Sequence, residues 1–351
     1  MKQFLRNWAL PISMLSGIVA YFLFAALPLS EATQGAVLST ISGVVQPILL
    51  FCMLFLSFIK VKPTEMKPHR WQLWVLLLQA GCFIMCSCLA LLCDPQTLQT
   101  LQTPQTFQTP QTFQTPQTLL TPHSLRGLKI LCEGAMLAFI CPTATASAVI
   151  TGRLGGSTAG VVTYLMVCNL MVSVLAPALL TLVEPHEGFT FVSSFFMIMG
   201  KVFPLLICPL LCAWMVRYLL PSLHRKLLAY TSLSFNIWTV ALALAIAVTV
   251  NSIAHSTVGI GYMIGLAIIS GLCCLAQFWM GKRVGSRYDT PDSHETRITA
   301  GQAFGQKNTV FIIWLGLVFL DPVTSVVGGF YSVWHNTVNS WQLYKARKRN
   351  V

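Results

Sequence analysis

The sequence predicts an all-α polytopic membrane protein, and composition, apolar run length and charge distribution support this fold class. The 351 residues are 55% hydrophobic and only 9% charged, and the mean hydropathy is +0.70. The apolar residues recur in runs of about 20, the length that crosses a hydrocarbon core as a helix. The formal charge of +12 falls in short clusters between these runs and forms no continuous stripe. The predicted partner is therefore a lipid bilayer and not nucleic acid.

Ten runs of the chain are long and apolar enough to be predicted as spanning helices. The first begins near Lys2 and Arg6 and resembles a signal peptide, but because many runs follow, an uncleaved first helix is predicted. The predicted spans are about 7–28, 34–59, 71–93, 127–150, 158–182, 190–219, 226–250, 257–280, 296–317 and 320–343.

The loop charges predict the orientation of these spans. If the N-terminus lies inside, the outer loops hold only Arg126 and Lys129, whereas most of the 22 Lys and Arg residues lie in inner loops or after the last span. Positive charge is retained on the cytoplasmic side of a membrane. The sequence thus predicts a multi-pass protein of the cell (inner) membrane with both termini in the cytoplasm, and it leaves the oligomeric state open.

Polar clusters interrupt two of the predicted spans, Cys141–Ser147 in the fourth and Gly301–Thr309 in the ninth. Lipid offers no water to loose backbone groups, so such a break survives only when it is buried in protein or lines a wet cavity. The ten spans divide into two halves of five, 1–187 and 188–351, and the fourth and ninth spans occupy corresponding positions in them. Because each half has an odd number of spans, the second half enters the membrane from the opposite face, so a repeat of the two halves must be inverted. Discontinuous helices that cross near the midplane of an inverted repeat are typical of secondary transporters.

One segment, 94–122, has a different composition and repeats six residues rich in Gln, Thr and Pro. Proline at every sixth position prevents a long helix, and the composition cannot build an apolar core. We expect a disordered extracytoplasmic loop in the first half, with an adhesive role as the alternative.

The twelve cysteines lie almost entirely inside apolar runs and form no CxxC pair. This pattern favours small buried hydrophobic side chains over a metal or disulfide framework. No cofactor is predicted.

The first break combines Pro142 with the hydroxyls of Thr143, Thr145 and Ser147. Proline removes a backbone donor and frees a carbonyl about one turn earlier. Hydroxyl and carbonyl oxygens suit a small cation such as sodium, and the N-termini of half-helices favour an anionic substrate group. The alternative is that these hydroxyls bond back onto their own helix.

The second break contains Gln302, Gln306, Lys307, Asn308 and Thr309. A lysine inside a span is costly unless it is paired or wet, so Lys307 is a candidate functional residue. The alternative for a lysine in a span is that its side chain reaches the interface.

Glu133 is the carboxylate that lies clearly inside a predicted span. It is a candidate partner of Lys307 or a member of a proton relay with Lys307. The alternative places it in water at the outer interface, near Arg126 and Lys129. His335 and Asn336 in the last span either line a cavity or hydrogen-bond in helix packing.

Two motifs carry a resemblance to a known family. The run Pro142–Ser147 ahead of Gly155-Gly156, and the Gly-Gln-Lys-Asn-Thr run ahead of Ser332–Asn336, resemble the bile acid:sodium symporter family, as a divergent bacterial-type member. The resemblance covers most of the chain except the Gln/Thr/Pro repeat. It implies that helices four and nine cross beside two sodium sites, and that a core subdomain moves against a panel subdomain to carry organic anions.

The resemblance also implies three sodium ligands. Ser147 matches a ligating serine after the crossover proline, and Gln79 matches a glutamine on helix three that helps to close the second sodium site. Asn308 matches the asparagine of the family's Gly-x-Gln-Asn run. Sodium or a proton is then the coupling ion.

The sequence departs from the family pattern at the same sites. Ala148 takes the usual asparagine position, Ala303 or Gln302 stands where the family has a ligating glutamate, and Lys307 falls on a ligating glutamine. The pocket loses a carboxylate and gains an ammonium, which repels sodium. The ammonium can act as a built-in cation or can load and release a proton in each cycle. We therefore expect transport that is not coupled to sodium at the Lys307 position.

The sequence thus predicts a secondary transporter of a small or amphipathic organic anion that works by alternating access. A metalloid efflux carrier is one alternative, because Cys141 precedes Pro142. A transport-dead membrane sensor or scaffold is another. No enzyme is predicted, since the spans contain neither a His-rich metal set nor a pair of carboxylates.

Overall fold

The computed structural model describes residues 9–94, 122–185, 188–230, 233–256, 259–291 and 293–349. In these ranges the secondary structure is helical, and the only β-type pairings are two isolated bridges, Thr143 with Lys307 and Thr290 with Ser293. The Gln/Thr/Pro repeat and the first residues of the chain, including Lys2 and Arg6, lie outside the described residues.

Fourteen α-helices follow one another through the described ranges. They are α1 (Ala9–Ala25), α2 (Glu31–Thr40), α3 (Gln46–Phe58), α4 (Arg70–Leu92), α5 (Pro122–Ile140), α6 (Ser147–Arg153), α7 (Thr158–Val183), α8 (Phe191–Leu219), α9 (Pro221–Ala229), α10 (Leu233–Ala254), α11 (Ile260–Gly285), α12 (Glu295–Gly305), α13 (Thr309–Phe319) and α14 (Val326–Arg349).

Six helical segments in the described ranges are long and apolar enough to cross a membrane: Glu31–Phe58, Arg70–Leu92, Thr158–Val183, Phe191–Leu219, Leu233–Ala254 and Ile260–Gly285. Two shorter apolar helices, Pro11–Ala25 and Thr309–Phe319, accompany them. Large apolar side chains such as Phe22, Leu73 and Trp279 project outward. A helical bundle with an apolar outer surface is suited to lipid and not to water, so the protein is a polytopic membrane protein.

The helix boundaries differ from the predicted spans where proline or polar residues intervene. The predicted span 226–250 corresponds mainly to α10, which begins at Leu233. The first residues of the predicted span belong to the separate short helix α9, which starts at Pro221. Between α2 and α3 the chain makes one π-helical turn, Ile41–Val45, just before Pro47. Proline lacks the N–H of a regular helix, and a wider turn accommodates that loss.

The predicted spans 127–150 and 296–317 are each divided into two helices. The first comprises α5 and α6, separated by residues 141–146, and the second comprises α12 and α13, separated by residues 306–308. Both interruptions lie inside the bundle, since Cys141, Thr143 and Lys307 are buried.

Glycines of α11 bring it into close contact with α12. A Cβ on Gly281 would lie 2.5 Å from the carbonyl oxygen of Ala300, and a Cβ on Gly285 would lie 2.5 Å from that of Thr296. Near the end of α12, Gly305 lies directly on the ring of Phe278. The position of α12, and hence of the second interruption, therefore depends on the absence of side chains at these sites.

We expect Gly281→Ala to destabilise the protein, whereas Gly261→Ala on the same helix should not. The added methyl at position 281 meets backbone that cannot move aside, which costs about 1–3 kcal/mol. Nothing lies within 4 Å of a Cβ built on Gly261. The midpoint of thermal unfolding in detergent, Tm, measures the difference. Equal Tm values for the two variants would show that the α11–α12 contact is not tight.

Candidate functional site

The two interruptions pair with each other through backbone hydrogen bonds. The N–H of Ala144 donates to the carbonyl of Gln306 (3.0 Å), and the N–H of Asn308 donates to the carbonyl of Pro142 (2.9 Å). Thr143 and Lys307 thereby form an antiparallel bridge. We call residues 141–146 and 306–308 together the crossing. Each interruption supplies the partners that the other has lost by leaving the helix.

Pro142 explains where the first of the two helices stops. Proline has no N–H and disfavours helical backbone at the residue before it, so α5 ends at Ile140. At the second interruption Gln306 is extended, with φ −92° and ψ 115°. The hydroxyl of Thr143 then donates to the carbonyl of Ala303 (2.5 Å), which fastens the first interruption to the end of α12.

Side chains from neighbouring helices bind the carbonyls left free at the ends of α5 and α12. The amide nitrogen of Gln79, on α4, donates to the carbonyls of Ile140 and Cys141, each at 3.2 Å. The hydroxyl of Tyr331, on α14, donates to the carbonyl of Gly305 (2.9 Å). These are helix C-termini, where the macrodipole is negative and donors are favourable.

Lys307 is fully buried at the crossing, with 0% of its surface exposed. Its Nζ lies 3.5 Å from the carbonyl oxygen of Phe139, in the last turn of α5, and 4.9 Å from the centroid of the Phe304 ring. In the described part of the chain no carboxylate lies within salt-bridge distance of this Nζ. The ammonium is held by a helix C-terminus and an aromatic face, both of which attract a cation.

Lys201 differs from Lys307 in both burial and position. It is exposed on the outer surface of α8, and its Nζ lies 5.6 Å from the ring of Phe319. An exposed lysine can extend its ammonium toward an interface. Of these two lysines, only Lys307 contacts the crossing.

Two of the three residues matched to sodium ligands have their oxygens engaged with protein donors. The Oε1 of Gln79 accepts from the hydroxyl of Tyr164 (2.7 Å), and the Oδ1 of Asn308 accepts from the N–H of Phe311 (3.4 Å) and caps α13. The hydroxyl of Ser147 donates to the carbonyl of Ala144 (2.6 Å), within its own turn. This last bond is the back-bonding alternative stated for the hydroxyls of the first break.

Asn308 keeps one buried group without a partner. Its side-chain nitrogen, Nδ2, has no hydrogen-bond partner among the described residues, although the residue is 96% buried (4% exposed). Thr309, also buried, is the first residue of α13. A free amide donor at a helix N-terminus, one residue after a buried lysine, favours a negatively charged group.

The glutamines of the second break form a chain that leads away from the crossing. The side-chain nitrogen of Gln306 donates to Oε1 of Gln302, and the nitrogen of Gln302 donates to Oε1 of Gln342 on α14 (2.9 Å).

Thr145 is half-buried, and its hydroxyl makes no hydrogen bond to any residue that the structure describes.

The structure does not bring Glu133 to Lys307. Its Oε1 lies 3.9 Å from the Nζ of Lys129, which also contacts Glu184 (2.5 Å) and Asp94 (3.2 Å). Glu133 is only 1% exposed, so it is not in open water either. It belongs to a separate cluster of one lysine and three carboxylates near the end of α4.

Sequence reasoning missed Gln277, Tyr164 and Gln342. Gln277 donates to the carbonyl of Ala138 (3.1 Å), one residue before the carbonyl that Lys307 contacts. A glutamine in the apolar run of α11 is as unusual as Gln79 in α4, and that signal could have identified it. Tyr164 and Gln342 carry no comparable signal, because their roles depend on contacts with distant residues.

No known family model matches the chain, and no curated protein matches its sequence. The class of site therefore follows from the residues themselves. The described residues contain no group of three His, Cys, Asp or Glu side chains arranged to hold a metal ion. What the crossing offers is a buried ammonium at Lys307, followed directly in the chain by the free amide donor of Asn308 and by the N-terminus of α13.

We expect Thr143→Val to destabilise the crossing and Thr145→Val to have little effect. Valine has the shape of threonine but lacks the hydroxyl, so the carbonyl of Ala303 loses its donor, which costs about 1–3 kcal/mol. Thr145 lies two residues further on and serves as the matched control. The Tm in detergent reports the change, and an unchanged Tm for Thr143→Val would mean that this hydrogen bond does not hold the crossing together.

Proposed function

We propose that the protein is a secondary transporter that carries a small or amphipathic organic anion across the cell (inner) membrane by alternating access. The proposal follows the resemblance to the bile acid:sodium symporter family. In this proposal the chain forms ten membrane spans in an inverted five-plus-five repeat, with both termini in the cytoplasm. The crossing is the site where the anion binds, and Lys307 replaces or modifies one cation-coupling site.

The observation that carries the proposal is the position of Lys307. Its ammonium is buried where two interrupted helices meet, and no described carboxylate neutralises it. Burying an unpaired charge is expensive, and ionisable residues inside a membrane bundle generally serve a pathway or a ligand. An anion bound beside Lys307 and the free Nδ2 of Asn308 would supply the missing counter-charge.

The arrangement of the interrupted helices supports the inverted repeat. In chain order α5–α6 and α12–α13 replace the fourth and ninth predicted spans, which are corresponding positions in the two halves. Interrupted helices at corresponding positions are the expected sign of a binding site at a repeat interface. Six helices of sufficient length and apolarity are consistent with a polytopic bundle.

The contacts of the crossing support a coupling mechanism without sodium at the position of Lys307. The carbonyl of Phe139 faces the ammonium, and those of Ile140 and Cys141 accept from Gln79. Oxygens that would surround a metal cation are thus occupied by donors of the protein itself. At this position the ammonium acts as a built-in cation or loads and releases a proton in each cycle, and the coupling ion is a proton or a sodium ion bound elsewhere.

Two other functions are alternatives to transport of an organic anion. A metalloid carrier would use thiols, but Cys141 directs its thiol to the carbonyl of Asn308 (3.0 Å). A transport-dead sensor or scaffold would need the same crossing only for stability. These alternatives differ from the main proposal in what the purified protein moves across a membrane.

The test is uptake by proteoliposomes of arsenite and of a panel of radiolabelled organic acids, with a sodium gradient, a proton gradient or neither. We expect at least one organic anion to be taken up, and we expect no steep sodium dependence shared by the wild type and Lys307→Gln. Lys307→Gln should reduce this uptake about 10-fold to 100-fold, because a charge-assisted contact contributes about 1.5–3 kcal/mol. Lys201→Gln, which removes an exposed lysine from α8, should transport like the wild type.

Three outcomes would contradict the proposal. No accumulation or exchange of any acid would favour the sensor or scaffold. Uptake of arsenite alone would favour the metalloid carrier. The same steep sodium dependence in wild type and Lys307→Gln would show that Lys307 does not replace a cation.

A further inference from the structure

One face of α14 carries three polar side chains, each with one buried atom that has no hydrogen-bond partner among the described residues. His335, Asn339 and Gln342 follow at intervals of four and three residues and so lie on the same side of the helix. His335 and Asn339 are 6% and 4% exposed. The atoms without a partner among the described residues are Nδ1 of His335, Oδ1 of Asn339 and Nε2 of Gln342. We call these three residues the polar face.

The polar face is continuous with the crossing through hydrogen bonds and ring contacts. Gln342 accepts from Gln302, which accepts from Gln306, the neighbour of Lys307 in the chain. On a second route, the ring of His335 lies edge-on to that of Tyr331, 5.7 Å between centroids, and Tyr331 donates to the carbonyl of Gly305. Polar groups thus extend from Lys307 almost to the end of α14.

The opposite side of α14 is directed outward. Val333 and Trp341 are 40% and 53% exposed, and Thr337 is also exposed. If the polar face were ordinary dry packing, three polar atoms in a row would remain unsatisfied in an apolar bundle. Each such atom costs about 1–3 kcal/mol. Water molecules, each with several polar neighbours, remove that cost and are common in buried polar sites.

Two basic side chains lie near the end of the polar face that is formed by Gln342. Lys282 lies against Gly301, with its Cγ 2.6 Å from the position of a Cβ, one residue before Gln302. Lys345 follows Gln342 by three residues, and its Nζ lies 3.9 Å from the ring of Trp341, on the outward side of α14. Asp289 precedes α12 in the chain, and its carboxylate contacts His294 and accepts from the backbone N–H of Arg297, in the first turn of that helix. Lysine ammonium groups near this end of the polar face attract small anions.

We propose that the polar face lines a water-filled conduit between α11, α12 and α14 that leads from Lys307 to the aqueous phase at the C-terminal end of α14. The conduit holds water and admits small anions from that side. Its use as an access route to a transport site rests on the proposed function. The presence of water along the conduit does not rest on the proposed function.

The test uses single cysteine substitutions and the membrane-impermeant anionic thiol reagent sodium (2-sulfonatoethyl)methanethiosulfonate. The reagent is applied to membrane vesicles from the side that carries the C-terminus, and labelling of each position is followed by peptide mass spectrometry, which separates it from the native cysteines. Asn339→Cys and Gln342→Cys should react at least about 10-fold faster than Thr337→Cys, since a thiol in lipid does not ionise. Labelling of Thr337→Cys alone, or of none of the three, would overturn the conduit.

A second measurement needs no substitution and covers the case in which a cysteine variant fails to fold. Hydroxyl-radical footprinting of the wild-type protein oxidises side chains that lie beside bound water. Tyr331 and Tyr164 are both fully buried and both donate hydrogen bonds, but only Tyr331 contacts the polar face. We expect oxidation of Tyr331 and His335 and none of Tyr164. Equal protection of both tyrosines would contradict the conduit, whether or not the protein transports an anion.

Discussion

The structure depends on one constraint, which is that two helices stop inside an apolar bundle and every loose backbone group must find a partner there. The two interruptions meet this constraint by pairing with each other, through Ala144 with Gln306 and Asn308 with Pro142. Neither interruption could exist alone at low cost. Because they lie more than 150 residues apart in the chain, their pairing also fastens the two halves of the protein together.

The same pairing determines the electrostatics of the crossing. The bridge between Thr143 and Lys307 places the lysine ammonium at the C-terminal end of α5, where the helix dipole favours a cation. Asn308 and the N-terminus of α13 follow Lys307 directly in the chain, and the side-chain amide of Asn308 is free. The same backbone arrangement therefore holds the ammonium of Lys307 in place and leaves the amide of Asn308 available as a donor to an anion.

The polar residues inside the long apolar helices serve this arrangement. Gln79, Gln277 and Tyr331 come from three different helices, and each donates to a carbonyl at or near the end of an interrupted helix. The polar face of α14 differs, because several of its buried atoms bind no described residue. Unpartnered buried atoms also occur at Gln277 and Asn308, but on α14 three of them follow one another along a single face, and this succession is the basis of the proposed conduit.

The sequence alone determined the helical membrane class, both interruptions and the unusual lysine, because apolar run length, Pro142 and a charge at mid-span are local signals. It also predicted Glu133 as a candidate partner of Lys307, although the structure places Glu133 beside Lys129. Only the tertiary structure decided that the two interruptions hydrogen-bond to each other and that Gln342 joins the chain of glutamines. Such contacts join residues far apart in the chain, so they depend on how the helices pack and leave no local pattern of residues.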